Sequence, residues 1–591
     1  MLKEHDLGGI RKKKKKRVVA KQLWKYVAKH KKVFILAIIL TCISNILALI
    51  CPMVSGFAID AIGTKVGEVK FVKVFIYVGM MIVFYVLSAI ISYILSVLMI
   101  NTSQKIVKQM RHDVMDTFFE LSVEYFDQHA IGDIISRISY DIDTINTSFS
   151  HDVVQLLASV MTIIGALIMM ICLSPMLVLV FVVMLPISIY VTGYLTKKAR
   201  PFFSKRSICL ANLNGYVEEM LSGHKTICAY EQEERIMGEF DDKNLEAVNA
   251  YYESEYHGSL TGPSVTLINN ISLALISAFG AIMFLYGKMS IGQISSFVLY
   301  SRKFSGPINE AANIFTELQS SLSAAERVFS FMNEPREWKD LEDAREISSC
   351  EGLLEGKNIN FGYRENKLIL KDISFKANPG NMIAVVGPTG SGKSTLINLI
   401  MQFYPIKSGD IILDEKVYSN IKKASLRRQF AMVLQETWLF SGTIYENLVY
   451  GREDATLEEV IEATKAAHIH DTIEKLPNGY DTVLTDEGVS LSAGQKQLMT
   501  IARAMLLPAQ MLILDEATSN VDTRTEKMIQ QAMAKLMKGK TCFVIAHRLS
   551  TIRNADTILV IRDGSVVERG NHDTLLRKHG VYAGIYQAQF E

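Results

Sequence analysis

Five stretches of this chain contain no Asp, Glu, Lys or Arg: Val33–Pro52, Val74–Ile100, Val153–Leu173, Met176–Leu195 and Val265–Leu285. Each is at least 20 residues long, and an α-helix of about 20 residues crosses about 30 Å of hydrocarbon. Lipid offers no partner to backbone N–H and C=O groups, so such a segment must satisfy its own and be helical. A sixth apolar stretch, Ile291 to about Phe315, is interrupted by Arg302, Lys303 and Glu310. The pattern predicts a six-span membrane protein and excludes a soluble one.

Charge sets the orientation. With the N-terminus inside, the inner stretches 1–32, 101–152 and 196–264 hold 25 Lys/Arg, and the outer loops 53–73, 174–175 and 286–290 hold four. Lys and Arg collect on the cytoplasmic side of short loops. The first 32 residues carry thirteen basic residues against two acids, although the whole chain is only +2. The run Arg11–Arg17, RKKKKKR, stands just before a span. It reads as a positive-inside flank touching anionic lipid, not as a nucleic-acid site. The outer loops are short and the two long inner stretches have helical periodicity, so the membrane helices are expected to continue into the cytosol. Seven cysteines without paired spacing give neither a disulfide framework nor a metal site.

With 591 residues, 49% of them hydrophobic and concentrated before residue 320, the chain needs more than one domain. Beyond Phe329–Glu337 it shifts to short β-type runs punctuated by turns. Asn381–Ile400 reads as a buried strand, a glycine-rich loop and a helix, and Gly387–Ser394 fits G-x-x-x-x-G-K-[ST]. In such a loop Gly387, Thr389, Gly390, Ser391 and Gly392 fold backbone amides around a β-phosphate. Lys393 supplies a point charge to β/γ oxygens, and Ser394, followed by Thr395, offers a hydroxyl to Mg²⁺. The strand Met511–Glu516 ends in two carboxylates. Asp515 there suits Mg²⁺ and Glu516 suits polarising the attacking water. Another strand ends at His547, within reach of a γ-phosphate, and Tyr363 could stack on adenine or be an ordinary strand tyrosine. LSAGQ, Leu491–Gln495, opens an amphipathic helix with small residues and a hydroxyl, a second phosphate-binding feature about a hundred residues after the first.

Tyr363, GPTGSGKST (387–395), Gln435 in MVLQET, LSAGQ (491–495), LILDE (512–516), SNVD (519–522) and His547 stand in the order of an ABC-transporter ATPase domain, which this segment resembles. The preceding half resembles exporter half-transporters. YFDQHAIGDIISRISYDIDT (125–144) and VEEMLSGHKTICAYEQEE (217–234) are similar to their intracellular loops, and SSLSAAERVFSFMNEP (320–335) to their domain junction. The resemblance covers nearly the whole chain after about residue 20. It implies a basic tail and interfacial helix at 1–32, an all-α six-span exporter domain at 33–335 and an α/β P-loop nucleotide-binding domain at 345–591. It implies the cytoplasmic membrane as location, with both termini and the ATPase domain inside, and ATP with Mg²⁺ as cofactors.

By the same resemblance Ser492, Gly494 and Gln495 cap a nucleotide held by a partner's phosphate loop. Gln435 senses Mg²⁺ and water, catalysis falls to Glu516, His547, Gln435 and Lys393, and Ser394, Gln435 and Asp515 serve the metal. Asp522 links the dimer, and the neighbourhoods of Tyr125–Gly132 and Asn214–Ser222 are coupling segments. One phosphate loop and one signature make half a machine, so a second half-transporter is expected. Two departures bear on which kind: Ala493 replaces the middle glycine of the common LSGGQ, and SNVD stands where SALD is commoner. With Glu516 intact, the combination resembles the consensus-glutamate subunit of a heterodimeric bacterial multidrug exporter, in preference to a homodimer.

The expected activity is ATP-driven export or flipping of hydrophobic or amphipathic compounds by alternating access. A homodimeric lipid flippase, or an ATP-gated channel or regulatory receptor on the same frame, are the alternatives. A nutrient importer and a leader-cleaving peptide exporter are disfavoured. Asn45, Asn269 and Asn270 are candidate path-lining amides. Lys303, Glu310 and Glu317 recur every seven residues in the sixth span. Either they face the substrate path with Arg302, or a buried Lys–Glu pair holds helices together.

Overall fold

The computed structural model describes residues 18–63, 69–364, 367–435, 437–485, 491–515, 522–545 and 552–588, with the backbone alone at 305, 308, 309, 311–313 and 315. The basic run Arg11–Arg17 therefore lies outside the described residues. Two units form: Met1–Phe119 with Ile131–Glu334, and Glu120–Ala130 with Pro335–Glu591.

The first unit is helical. After α1 (18–29) come α2 (Lys31–Asp60) and α3 (Phe71–Glu120); α4 (Val123–Gln128) belongs to the second unit. Then follow α5 (Ile131–Leu173), α6 (Pro175–Ser222), α7 (Glu233–Leu285) and α8 (Ile291–Met332). Five of these, α2, α3, α5, α6 and α7, are long and apolar enough to cross a membrane. The 42-residue α8 is as long but carries Arg302, Lys303 and Glu310 in its first half, as the interrupted sixth stretch predicts. Four of the five are 43 to 53 residues long, about 65–80 Å at 1.5 Å per residue. That is twice the hydrocarbon thickness, so the helices continue beyond the membrane as expected.

Apolar solvent supplies no hydrophobic drive between helices, so small and polar residues join them. Ser44 on α2 meets the hydroxyls of Ser88 (3.0 Å) and Ser92 (2.8 Å) on α3. Gly56 and Gly292 let α2 and α8 touch, because a Cβ on Gly292 would lie 2.0 Å from the Gly56 carbonyl oxygen. At that end Asp60 accepts from Ser290 Oγ (2.6 Å) and the Gly292 amide (2.8 Å), fastening the start of α8.

Pro52 inside α2 has no N–H, so the carbonyl of Ala48 loses its helical donor. Lys303 Nζ supplies the replacement at 2.6 Å, and Tyr300 donates to the neighbouring Leu49 carbonyl at 2.5 Å. Glu310 accepts from Gln155 Nε2 of α5 at 2.6 Å. Lys303 and Glu310 therefore do not form the Lys–Glu pair considered from the heptad spacing; each holds a different neighbour. Asn45, half-buried, ties α2 to α5. Thr162 Oγ1 donates to its Oδ1 at 2.9 Å, and its own amide donates to the Thr41 carbonyl.

The second unit is built on two sheets. One is antiparallel, in the order β2 (Leu370–Ala377), β1 (Leu354–Phe361), β4 (Ser408–Leu413), β5 (Lys416–Val417). The other has six strands: β12 (Ser565–Gly570), β11 (Thr557–Arg562), β3 (Met382–Val386), β10 (Thr541–Ile545), β9 (Met511–Asp515) and β6 (Phe430–Val433). From β11 to β6 every pairing is parallel, and β12 joins antiparallel at the edge. A short ribbon pairs β7 (Gly442–Thr443) with β8 (Val483–Leu484). Strands β3, β9 and β10 are almost wholly buried, which is why they read as continuous apolar runs and not as alternation.

Candidate nucleotide site

Register fixes where the expected residues fall. Ile545 pairs with both Val385 and Asp515, and Val433 pairs with Leu514. Four parallel strands thus end level along one edge of the sheet. The phosphate loop leaves β3, Asp515 closes β9, and Gln435, which is exposed, follows β6 by two residues. Glu516 and His547 lie outside the described residues; the strands leading to them end at Asp515 and Ile545. Open α/β sheets bind ligands at the carboxyl ends of their parallel strands.

The loop has the backbone that a phosphate cradle needs. Gly390 and Gly392 adopt φ of 78° and 106°, values costly for any residue with a Cβ. A Cβ on Gly392 would also meet Leu370 at 2.6 Å, and one on Gly387 would lie 2.1 Å from the Ile561 carbonyl oxygen. Thr389 and Gly390 are exposed at the tip, while Ser391, Gly392 and Lys393 are buried. Helix α9 (Lys393–Ile400) starts there, aiming its first amides at the loop. Lys393 Nζ donates to the Gly387 (2.8 Å) and Pro388 (3.0 Å) carbonyls. Burial lowers its pKa, and the negative charge of Asp515 pulls it back up. Ser391 Oγ is buried and, among the described residues, has no hydrogen-bond partner. A buried hydroxyl seeking an acceptor, a lysine spanning the loop and left-handed glycines fit a polyphosphate.

Tyr363 is tied to the loop's helix. Its hydroxyl donates to Thr395 Oγ1 at 3.2 Å and accepts from Asn398 at 3.4 Å, and its ring packs edge-on against Phe361 and Tyr404. At 38% exposed it still presents surface beside the loop. Ser394 is exposed at the first turn of α9.

The signature forms the start of α10 (Ala493–Met505). Ser492 is the N-cap; its Oγ accepts from the Gln495 amide at 3.3 Å, and the Gln495 side chain accepts from the Ser492 amide at 2.9 Å. Gly494 is buried, whereas Ala493 is exposed. Its methyl group therefore sits on the surface that the common glycine would leave bare. Asp522 caps the next helix by accepting from the Thr525 amide at 2.9 Å, a bond that lowers its pKa.

One residue escaped the sequence reading. Tyr404, buried, donates its hydroxyl to Asp127 of α4, and burial followed by this carboxylate pushes the phenol pKa well up. The stretch around α4 is further fixed by the Arg336–Glu120 ion pair (2.9 Å) and a bond from the Glu337 amide to the Glu120 carbonyl (2.8 Å). Tyr125–Gly132 was expected to be a coupling segment, and its first six residues belong to the unit that carries the phosphate loop. Asn214–Ser222 ends α6 in the other unit, beside an apolar cavity of about 320 Å³. No local motif announces Tyr404; its partner is 277 residues away.

Comparison with known proteins gives the family. The ABC transporter transmembrane region family matches residues 34–308, and the ABC transporter family matches 370–519. An uncharacterized ABC transporter ATP-binding protein of Bacillus subtilis, YfiC, is 39% identical over 97% of this chain and 94% of its own length. The chain is an ABC transporter. It is a half-transporter of the exporter type, with one membrane domain fused to one ATPase domain, and it hydrolyses ATP. A fatty acid ABC transporter ATP-binding/permease protein of Mycobacterium bovis is 40% identical over 84% of this transporter and 79% of that protein. The solved structure of a bacterial Atm1-family ABC exporter with ATP bound superposes with a TM-score of 0.76 at 26% identity, covering 95% of this chain and 98% of that one. The transporter resides in the cytoplasmic membrane.

Proposed function

We propose that this transporter is one of two non-identical halves of an exporter for amphipathic molecules, with two composite ATP sites of unequal strength. The carrying observation is Ala493 exposed at the first turn of α10. By the family resemblance, a nucleotide held there belongs to another chain's phosphate loop. The added methyl group weakens close backbone approach to the partner's γ-phosphate. In the stronger site Lys393 and Ser391 hold phosphate, and Ser394, Gln435 and Asp515 surround Mg²⁺. Glu516 polarises water, His547 contacts the γ-phosphate and Tyr363 stacks on adenine. The relative from Mycobacterium bovis, named for fatty acids, supports an amphipathic cargo.

Purification of a tagged chain followed by identification of its companion tests the assembly: a distinct half-transporter in equal amount is expected, and a self-dimer alone overturns that part. In the same complex Glu516→Gln is expected to lower ATP turnover at least 100-fold while ATP binding persists. Normal turnover by that variant would contradict the catalytic assignment.

A further inference from the structure

The three charged residues that interrupt the sixth span divide in the structure. Lys303 serves the carbonyl freed by Pro52, and Glu310 takes Gln155. Arg302 does neither. It is exposed, and among the described residues no carboxylate lies within ion-pair distance of it. With Thr266, Asn269, Asn270, Ser272 and Ser301 it lines a cavity of about 250 Å³ between α7 and α8, and among the described residues none that lines it is acidic. Arg302 is eleven residues into α8, about 16 Å along the helix and so near mid-membrane depth. Ser272 is 5% exposed, and among the described residues its Oγ has no hydrogen-bond partner.

A cation in a membrane helix is costly unless something meets it, and a buried hydroxyl without a partner carries its own penalty. The two stand in one cavity beside two amides that can donate hydrogen bonds. We propose that this cavity binds the anionic headgroup, carboxylate or phosphate, of a single-chain amphipath. The guanidinium makes paired charge-assisted bonds to such a group, with Ser272 and the two asparagines completing its oxygens. At about 30 Å³ per water the space suits a headgroup and not a whole lipid, so the hydrocarbon chain lies along neighbouring apolar faces. This rests on the export reading above and gives its cargo a charge.

The test uses the full-length transporter with its companion chain in phosphatidylcholine nanodiscs. Equilibrium binding and stimulation of ATP turnover are measured with dodecanoate, dodecyl phosphate, dodecanol and dodecyltrimethylammonium. One or both anions are expected to half-saturate at a concentration at least tenfold below that of dodecanol, and the tighter of the two identifies the headgroup. Arg302→Gln is expected to raise the anion's half-saturation about tenfold or more while that of dodecanol stays within twofold; Arg302→Lys recovers part. Should Arg302→Gln fail to fold, Ser272→Val and Asn270→Leu are expected to weaken anion binding in the same selective way. Anions binding no better than dodecanol, or an equal loss for both ligands in the variants, overturns the proposal. Stimulation by the neutral or cationic amphipath alone leaves export standing and removes the anion site. Stimulation by none of the four removes the export reading, and the binding arm still decides the site.

Discussion

Two lysines, one buried and one half-buried, show how position decides what a charge does. Lys393 stands where helix α9 begins and reaches back to the Gly387 and Pro388 carbonyls, ready to exchange them for phosphate oxygens. Lys393→Ala is expected to weaken ATP binding at least 100-fold, measured by equilibrium nucleotide binding. Lys303 has a structural partner, the Ala48 carbonyl that Pro52 deprives of its donor. Lys303→Met should destabilise the transporter by about 1–3 kcal/mol, the cost of an unpaired buried polar group. Pro52→Ala returns an intrahelical donor to Ala48, so Lys303→Met should cost less in that background. A thermal double-mutant cycle in detergent measures the difference, and strict additivity would contradict the assignment. The first lysine was legible in the sequence because its motif is local. The second was not, because the carbonyl it serves is 255 residues away.

At the scale of elements, uncharged length predicts the apolar helices, whereas nothing in the sequence predicts how they meet. The contact of α2 and α8 at Gly56 and Gly292 depends on two glycines that look unremarkable in their stretches. Gly292→Val must push those helices apart, since its Cβ would lie 2.0 Å from a backbone oxygen. Loss of folded protein on size-exclusion chromatography is the expected outcome. Parallel strand order was equally hidden: the apolar runs announced strands, but only the pairing shows that β3, β9, β10 and β6 end level. Helix α4 is the sharpest case, a six-residue piece assigned with the ATPase unit despite standing between two membrane helices in sequence. Tyr404→Phe removes its hydrogen bond to Asp127. Amide exchange across Glu120–Ala130 should then rise about fivefold, the effect of about 1 kcal/mol, with exchange in β3 unchanged.

For the whole molecule, the motif order in the sequence was enough to identify a half-transporter, because each motif follows a strand or opens a helix of a known ATPase design. Cargo and companion are not written in that order. The proposed headgroup site shows why: Arg302, Asn269, Asn270 and Ser272 come from two helices, and only folding brings them round one cavity. The central claim is that one chain carries one phosphate loop and one signature that serve different nucleotides, so turnover needs two chains. The most direct measurement is ATP turnover across a size-exclusion profile whose mass is read by light scattering. Activity is expected only in fractions containing two half-transporters, vanishing in proportion as they dissociate on dilution. A fraction of verified single chains hydrolysing ATP at the full rate would contradict the account.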